Sequence, residues 1–530
     1  MKPVIVVLAA LVSAPAWAKN PHPIPHAPRD LSGYARPSLR GPSPWTPLTN
    51  QPTFLVNGAA NPILLTDGTV LVQDGGFPDW WKLTPDANGS YVNGTWSQVA
   101  SLPALSGDPR FPVYSPLYHS SAVLPDGRLI IEGGEYLLNA DQTDFIPTWT
   151  AHGAIYDPVA NIWTLVAPPA FFNGGPPHRQ TIGDAQSVVL ANGTYMQANC
   201  CTTETALLDA KSLTWTQTGA GKFDINDEEG WTLLPSGHVL TVDAYVFAYD
   251  RSGRNSELYD PATGSWSSAG DTVVQLWDSC GGANGASYEV GPGVLRPDGT
   301  VFYTGASGCG SSNTAIYDTH TGSWHAGPAF PAQNGIADGP AALEPNGNVL
   351  MMASPLVFAT PVTFFEWDGQ HLTPVQGTPN APFDSSFFGN MLVLPTGQIL
   401  LTDFSDDIEI YTPASGPTTG APVIVAAPTT IKAGKSYSIA GVGFNGLSQG
   451  AAYGDDAQAA TNYPLVRTTN LATGHVQYSR THDHSSMAVA SDAVVTTRFD
   501  VPRNIELGPA KLEVVANGIA SAPLSVTVTR

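Results

Sequence analysis

The sequence predicts an all-β fold, a seven-bladed β-propeller followed by a β-sandwich, and three observations support that prediction. Short runs of branched and aromatic residues alternate with turn residues, and few stretches have helical periodicity. A strand–turn–strand unit recurs at intervals of roughly 45 to 65 residues, the regime of repeat architectures. After residue 422 the repeat stops, and roughly 110 residues of short strands with turn signals follow, which suits a sandwich.

The repeated unit is clearest at residues 118–136, where two strands flank a tight turn at Asp126-Gly127 and a glycine pair follows. Asp-Gly between two apolar runs is a strong hairpin signal, because both positions tolerate the backbone of such turns. Equivalent turns mark seven units, at Asp67-Gly68, Asp126-Gly127, Asn192-Gly193, Ser236-Gly237, Asp298-Gly299, Asn346-Gly347 and Thr396-Gly397.

Most units end in an outer strand that carries an aromatic residue, at Trp96, Trp163, Trp215, Trp266 and Trp324. The last unit has no such strand, and the segment around Trp45, before the first unit, supplies it. A ring closed by strands from both chain ends leaves no exposed sheet edge. We expect the tryptophans, the glycine pair and the Tyr-Asp pairs to hold the blades together, and assign them no chemistry.

The chain ends add export and a second domain to this plan. Lys2, an apolar run at 4–12 and Ala16-Trp17-Ala18 describe a secretory signal peptide over 1–18, so we expect a periplasmic or extracellular protein. The apolar run is too short to span a bilayer. We expect an extended lead-in at 19–44, the propeller at 45–414, a linker at 415–422 and an immunoglobulin-like sandwich at 423–530.

The composition restricts the partners. The formal net charge of −22 argues against nucleic acid and anionic membranes, because phosphate binding needs clustered lysine and arginine. An acidic surface instead suits a secreted protein kept soluble by self-repulsion, and we expect a monomer.

Four cysteines in an exported chain favour disulfides over metal thiolates. Cys280 and Cys309 flank the two inner strands of the fifth unit, in loops on one face of the blade, and we expect them to be joined. Cys200 and Cys201 then form a vicinal disulfide or remain thiols.

The repeated words LPDGR, Gly-Gly, YDP and Trp resemble kelch repeats. With the signal peptide and the terminal sandwich, the chain resembles the galactose oxidase and glyoxal oxidase family of copper radical enzymes. The resemblance implies that a hairpin of the sandwich enters the propeller pore and delivers a histidine to copper. The matching hairpin is VQYSRTHDHSSMAV, in which His482 and His484 would be metal ligands on one face of a strand.

The resemblance also locates the other members of a copper site, and several lack the required atoms. Tyr118 matches the cross-linked tyrosine, and Tyr136 stands where the family commonly has a shielding tryptophan. The position of the thioether cysteine falls on Ala60 or Asn61. The second tyrosine and its histidine fall on Phe387 and Phe388. We therefore expect that the copper radical centre is not intact.

Aligning the units shows what the innermost strands bring to the pore instead. Polar residues, most of them acidic, recur where these strands begin: Tyr118, His119, Asp184, Glu228, Glu229, Glu289 and Asp338. The resemblance implies that these positions face the ligand-binding mouth. Crowded carboxylates raise one another's pKa unless a cation or a donor compensates.

Three kinds of chemistry suit such a pore. The first is binding of a divalent cation. Oxygen ligands alone favour Ca²⁺ or Mn²⁺, and added imidazoles of His119, His482 or His484 favour Zn²⁺ or Cu²⁺. Two carboxylates acting as general acid and base on a sugar are another. The third is plain binding of sugar hydroxyls, with Trp231 and Tyr136 as a stacking wall.

Three functions follow. The first is a divergent relative of the copper radical oxidases with an acidic, His-assisted pocket for a carbohydrate or polyol and a possible metal ion. There Tyr118, Asp184, Glu228 and Glu289 would be catalytic, while Glu229 and Asp338 would contact the substrate. The second is a non-catalytic glycan-binding or adhesion module. The third is a copper-radical oxidase of alcohols or aldehydes with a remodelled site.

Overall fold

The computed structural model describes residues 42–173, 180–245, 253–279, 287–307, 309, 313–416, 418–456 and 459–530. The predicted signal peptide, nearly all of the lead-in and Cys280 lie outside these residues. The fold is all-β, as the sequence predicts. Two 3-10 turns, Pro331–Gln333 and Ser386–Phe388, are the helical elements of the described chain. In these same ranges, no helix has the length and apolarity needed to cross a membrane.

Most described strands belong to four-stranded antiparallel sheets in which sequence order is also spatial order. We number these sheets along the chain and give each from its inner to its outer strand. Sheet 1 is Ala59–Leu64, Val70–Asp74, Trp80–Thr84 and Thr95–Gln98; sheet 2 is Ser120–Val123, Leu129–Glu132, Gly153–Asp157 and Ile162–Val166; sheet 3 is Ser187–Val189, Tyr195–Ala198, Thr205–Asp209 and Thr214–Thr218; sheet 4 is Thr232–Leu233, Val239–Val242, Ser256–Asp260 and Ser265–Ser268.

Sheets 5 to 7 continue this plan, and sheet 7 takes its outer strand from the other end of the chain. Sheet 5 is Gly293–Leu295, Thr300–Thr304, Thr314–Asp318 and Ser323–Ala326; sheet 6 is Ala341–Leu343, Val349–Pro355, Thr363–Trp367 and Leu372–Val375; sheet 7 is Asn390–Val393, Ile399–Thr402, Glu409–Tyr411 and Trp45–Pro47. Trp45 pairs with Tyr411, so the predicted closing strand is in place.

Tryptophans of two outer strands each link their sheet to the preceding one. The indole N–H of Trp163 in sheet 2 donates to the carbonyl of Ala100, which follows sheet 1, at 2.9 Å. Trp215 of sheet 3 donates in the same way to Ala167 at 2.7 Å. The bond of Trp163 satisfies a donor on a side chain that is only 8% exposed. These tryptophans are therefore structural, as the repeat pattern indicates.

Shorter strands lie beside sheet 2 and pair with strands of sheet 6. Pro116–Leu117, Tyr136–Leu138 and Phe145–Pro147 form a three-stranded sheet beside sheet 2. Asn334–Gly335 pairs with the second strand of sheet 6, and Ala451–Ala452 pairs with its inner strand.

The C-terminal strands form one nine-stranded hydrogen-bonded set around a separate apolar cluster. Alternate residues of Val495–Asp500 are buried, which places one face of this strand, with Val495 and Phe499, in that cluster. The strands are Val423–Ala426, Thr430–Lys432, Ser436–Val442, Leu465–Asn470, Val476–His482, Val495–Asp500, Gly508–Ala516, Ile519–Ala520 and Leu524–Thr529.

A long connection within this C-terminal set occupies the space between the inner strands of the sheets. We call residues 443–456 and 459–464 the axial segment. Its Ala451–Ala452 strand extends sheet 6, and its Gln449 side chain accepts a 2.8 Å hydrogen bond from the Leu233 amide of sheet 4. The Tyr463 hydroxyl donates to the carbonyl of Leu64 in sheet 1.

The hairpin that the resemblance places in the propeller pore lies elsewhere in the structure. The hairpin VQYSRTHDHSSMAV contacts the turns at the far ends of the inner strands, with the amide of His484 bonded to Pro125 at 3.1 Å and that of Met487 to Ala191 at 2.9 Å. The axial segment reaches the centre because it leaves the strand Ser436–Val442 as a long connection of about 20 residues, the kind of loop that is usually functional.

Candidate cation site at the centre of the sheets

Four carboxylates from separate parts of the chain converge where the inner strands of sheets 4, 5 and 6 begin. Glu228, Glu289 and Asp338 each precede one of these strands by a few residues, and Asp455 belongs to the axial segment. One oxygen of each residue lies within 4.8 Å of those of the other three. Three of the four side chains are buried, and Glu228 is half-buried. The sequence predicts the convergence of the three sheet residues but not Asp455.

The local backbone allows this close approach. Glu228 lies in the left-handed region, with φ of 60°, which turns its side chain away from the course of an extended strand. At Gly454, a Cβ atom would lie 3.0 Å from Oδ1 of Asp338 and 3.1 Å from the carbonyl oxygen of Val290. Only glycine lets the axial segment pass this point without displacing its neighbours.

The donor set fits a hard cation. Two oxygens on opposite sides of a Ca²⁺ ion, each about 2.4 Å from it, are about 4.8 Å apart, so the spacing of the four carboxylates suits a single ion. The donors are all oxygen, which favours Ca²⁺, Mg²⁺ or Mn²⁺ over copper or zinc. A divalent cation would also offset the repulsion among neighbouring carboxylates.

An aromatic stack stands beside the carboxylates. The rings of Tyr245 and Tyr288 are stacked at 4.6 Å, and Trp277 stacks on the other face of this pair, 5.6 Å from Tyr288. Burial, and then the charges of Asp227 and Glu228, raise the pKa of Tyr245 well above its ordinary value. The Tyr245 phenol therefore keeps its proton and remains a donor at neutral pH.

Glu229, predicted to contact substrate, has a structural role instead. It lies with three other buried carboxylates around the ammonium group of Lys222, whose Nζ is 2.7 Å from Asp224, 3.0 Å from Glu229, 3.2 Å from Asp243 and 2.8 Å from Glu257. Burial alone would lower the pKa of Lys222, but the charges of Asp243 and the other carboxylates raise it well above the ordinary value. The prediction for Glu229 is corrected because its carboxylate is fully buried in this cluster.

Asp184 belongs to a third group. A carboxylate oxygen of Asp184, one of Asp227 and the sulfur of Cys200 lie within 4.8 Å of one another. The sulfur atoms of Cys200 and Cys201 are in close contact as a vicinal disulfide, one of the two states that the sequence leaves open. Cys309 is also disulfide-bonded, and Cys280, its predicted partner, lies outside the described residues.

The positions that match the copper site of the resembled family lie close together, and most of their side chains are apolar. Ala60, Tyr118, Tyr136 and Phe387 belong to one hydrophobic cluster, and Phe388 packs against it. The rings of Tyr118 and Tyr136 meet edge to face at 6.1 Å. The cluster offers one phenol hydroxyl at Tyr118 and another at Tyr136, but neither a thiol nor an imidazole. These residues do not fit a copper radical centre.

His119, predicted as a metal ligand, is held within the interface of sheets 1 and 2. Its Nε2 is 3.0 Å from Oε1 of Gln73, and its Nδ1 is 3.3 Å from the carbonyl of Ser120. Burial lowers the pKa of His119 to about 4, so the ring is neutral. The neutral ring donates from only one of these nitrogens, and His119 belongs to none of the groups of the described residues that could hold a metal ion.

His482 and His484 do not share one face of a strand. The strand ends at His482, and Asp483 has a left-handed φ of 54°, which turns the chain between the two rings. His482 lies between the carboxylates of Asp483, at 3.0 Å, and Asp500, at 3.3 Å. Burial lowers the pKa of His484 to about 3, and its Nδ1 lies 2.8 Å from Thr497 Oγ1. Neither imidazole belongs to a metal-competent group of the described chain.

The predicted stacking wall is also corrected. Tyr136 is fully buried, and Trp231 is 2% exposed with its ring 5.6 Å from that of Trp266. Rings without an exposed face cannot stack on a ligand. The half-buried ring of Tyr245, which no repeat pattern singles out, lies at one end of its stack with Tyr288 and Trp277.

Comparison with known proteins gives structural likeness only. No family model and no curated protein matches this chain. Among solved structures, the chain is similar to a fungal alcohol oxidase of the AA5 family in complex with copper, at 15% identity and a TM-score of 0.47, over 92% of this chain and 99% of that one.

Two antibiotic lyases are also similar. A streptogramin B lyase has 10% identity and a TM-score of 0.43, over 69% of this chain and 96% of that one. A catalytically inactive virginiamycin B lyase from Staphylococcus aureus, solved with quinupristin, has 9% identity and a TM-score of 0.45, over 70% of this chain and 100% of that one. At such identities, the chemistry of this chain has to be judged from its own residues.

Proposed function

We propose that this protein binds a hard divalent cation, with Ca²⁺ as the first choice, through Glu228, Glu289, Asp338 and Asp455. The bound cation in turn takes hydroxyl oxygens of a carbohydrate or polyol. One observation carries the proposal, namely that carboxylates from three sheets and from the axial segment present oxygens within 4.8 Å of one another. Ca²⁺ accepts six to eight oxygen ligands, so four carboxylates leave positions for the ligand's hydroxyls.

The aromatic stack supports a sugar or polyol as the ligand. Binding sites for small molecules combine apolar and aromatic walls with a few polar groups that fix orientation. Here the polar groups are the carboxylates, and the wall is the ring of Tyr245 beside them, at one end of its stack with Tyr288. The C–H face of a sugar ring would lie against the aromatic rings while its hydroxyls reach the cation.

Two other functions receive less support. General acid–base hydrolysis of glycosides uses two carboxyl groups about 5 to 9.5 Å apart around the scissile bond. Here four of them crowd around one point, which suits a shared cation better. Copper radical oxidation needs a thiol and a second phenol–imidazole pair, and Ala60 or Asn61, Phe387 and Phe388 stand at those positions.

Calorimetric titration of the purified, metal-stripped protein with CaCl₂ tests the cation site. We expect one Ca²⁺ per chain, and at least tenfold weaker affinity in Asp455→Asn and in Glu289→Gln, because each substitution removes one anionic ligand. Asp141→Asn is the matched control, since Asp141 is exposed and outside the carboxylate group. Equal Ca²⁺ affinity in Asp455→Asn, Glu289→Gln and wild type would refute the site.

Titration with methyl β-D-glucoside and with sorbitol, with and without saturating Ca²⁺, tests the ligand class. We expect binding of at least one of these probes only when Ca²⁺ is present. Tyr245→Ala should weaken that binding without changing the affinity for Ca²⁺, because the ring contacts the ligand and not the ion. Binding that is equally strong in EDTA would contradict a cation-mediated mechanism.

A further inference from the structure

We infer that the ligand of the central carboxylates carries an apolar substituent, an alkyl or aryl group, which binds on an aromatic patch next to the cation site. This inference rests on the proposed function for the polar half of the ligand and adds the apolar half. The patch consists of Tyr118, Phe358, Phe387, Phe388 and Phe404.

The patch is one continuous set of ring contacts. Phe387 lies 4.3 Å from Phe388 and 5.3 Å from Phe358, measured between ring centroids. Phe404 is 6.2 Å from Phe388 and 6.2 Å from Tyr118. These residues come from sheets 2, 6 and 7 and the loops between their strands, so the patch is a feature of the assembled ring and not of one hairpin.

The patch is layered. Tyr118, Phe387 and Phe404 form its buried floor, at 9%, 6% and 5% exposure. Phe358 and Phe388 lie above them and remain half-buried, which leaves ring surface exposed to water. Covering such surface with an apolar group stabilises a complex, because apolar surface is removed from water. An apolar ligand group therefore fits this surface better than a polyol does.

Two contacts join the patch to the carboxylates. The hydroxyl of Tyr453 donates a 2.7 Å hydrogen bond to the carbonyl of Phe387, and Asp455 follows two residues later. On the other side, Phe358 packs against the cluster that contains Ala337, the neighbour of Asp338. Two of the four proposed cation ligands, Asp338 and Asp455, are thus within two residues of a residue that contacts the patch. The proposed ligand spans both sites.

A series of alkyl β-D-glucosides, from methyl to hexyl, tests the inference by calorimetry at saturating Ca²⁺. We expect the affinity to rise by about fourfold for each added methylene, because each CH₂ leaves water on binding. Phe388→Ala and Phe358→Ala should each flatten this dependence and leave the affinity for methyl glucoside within about twofold. Phe54→Ala is the matched control, because Phe54 is an exposed ring stacked on Trp81 outside the patch.

The outcomes separate the two proposals. Unchanged Ca²⁺ affinity in Phe388→Ala and Phe358→Ala shows that these variants are folded. If methyl glucoside binds with Ca²⁺ but chain length has no effect, the apolar subsite is refuted and the proposed function stands. If affinity grows with chain length equally in wild type, Phe388→Ala and Phe358→Ala, the subsite is also refuted. If no glucoside binds in the presence of bound Ca²⁺, both proposals fail for this ligand class.

Discussion

Glu228 and Glu229 are adjacent in the sequence, and their side chains enter opposite environments. The left-handed backbone at Glu228 directs its carboxylate to the centre, where it meets Glu289, Asp338 and Asp455. Glu229 faces the interior of sheet 4 and binds Lys222 at 3.0 Å. The Lys222 ammonium offsets part of the negative charge of the carboxylates around Glu229. We propose that a divalent cation offsets the negative charge of the carboxylates around Glu228.

A third acidic contact, between Glu344 and Glu366 of sheet 6, makes stability depend on pH. Burial, and then the charge of Glu366, raise the pKa of Glu344 from its ordinary 4.5 to about 8. The hydroxyl of Tyr411 in sheet 7 donates to Glu366, so the pair also lies at a contact between sheets. Because the folded pKa is the higher one, Glu344 takes up a proton on folding.

We therefore predict that the contribution of Glu344 to stability is complete below pH 4.5 and is lost as the pH rises towards 8. The loss should be about 1.4 kcal/mol per pH unit inside this window. Glu344→Gln should flatten the dependence, which urea unfolding at pH 5, 6.5 and 8 would measure. Glu513→Gln, at a surface ion pair with Arg467, should keep the wild-type slope. An unchanged slope in Glu344→Gln would contradict the assignment.

At the scale of elements, the axial segment connects the two halves of the molecule. It leaves the C-terminal strands, pairs with the inner strand of sheet 6 and contributes Asp455 to the carboxylate group. The sheets supply the other three carboxylates, so neither part contains the whole site. Cation binding and seating of this segment are therefore expected to depend on each other.

Gly454→Ala tests this dependence. The new methyl group would lie 3.0 Å from Asp338 Oδ1 and 3.1 Å from the Val290 carbonyl, so the segment or its neighbours must shift. We expect a loss of about 1 to 3 kcal/mol in the free energy of unfolding, as in overpacked cores, together with weaker Ca²⁺ binding. Thermal unfolding and Ca²⁺ titration measure the two effects. Wild-type values for both would show that the segment tolerates displacement here.

At the scale of the whole molecule, the chain closes its ring of sheets with a strand from its N-terminal side. Trp45 is 5% exposed, packs against Phe364 and Tyr411, and donates its indole N–H to the carbonyl of Gln376 at 2.7 Å. It therefore ties sheet 7 to the end of sheet 6. The closing strand is only three residues long, so a single side chain supplies much of its attachment.

We predict that Trp45→Ala lowers the free energy of unfolding by about 3 to 5 kcal/mol, the range for large buried aromatic residues. Trp45→Phe should cost less, because it keeps most of the packing and loses one hydrogen bond. Trp81→Ala is a control for tryptophan removal, since Trp81 is half-buried in sheet 1. The midpoint of urea unfolding measures all three, and equal losses for Trp45→Ala and Trp81→Ala would argue against a closing role.

The sequence predicts more of the fold than of the site, for a physical reason. Turn residues, the alternation of apolar and polar residues, and the outer-strand tryptophans are local patterns that recur in the repeats. A strand that is hard to predict in one repeat can therefore be located from its equivalents in the others. The convergence of Glu228, Glu289 and Asp338 follows from the same alignment of repeats. Asp455 could not be found in this way, because its position depends on where a long irregular connection packs. The only local sequence signal for Asp455 is the length of the connection that contains it.

The sequence by itself determined the all-β class and the closing strand at Trp45. Its resemblance to the copper radical enzymes predicts that Ala60 or Asn61 and Phe388 stand where that site needs a thiol and an imidazole. Tertiary structure decided which acidic residues face the centre, because burial and backbone direction separate neighbours such as Glu228 and Glu229. It also decided which C-terminal segment enters the ring. The Thr-His motif at His482 predicts that its hairpin enters the ring, whereas in the structure the axial segment contacts the inner strands.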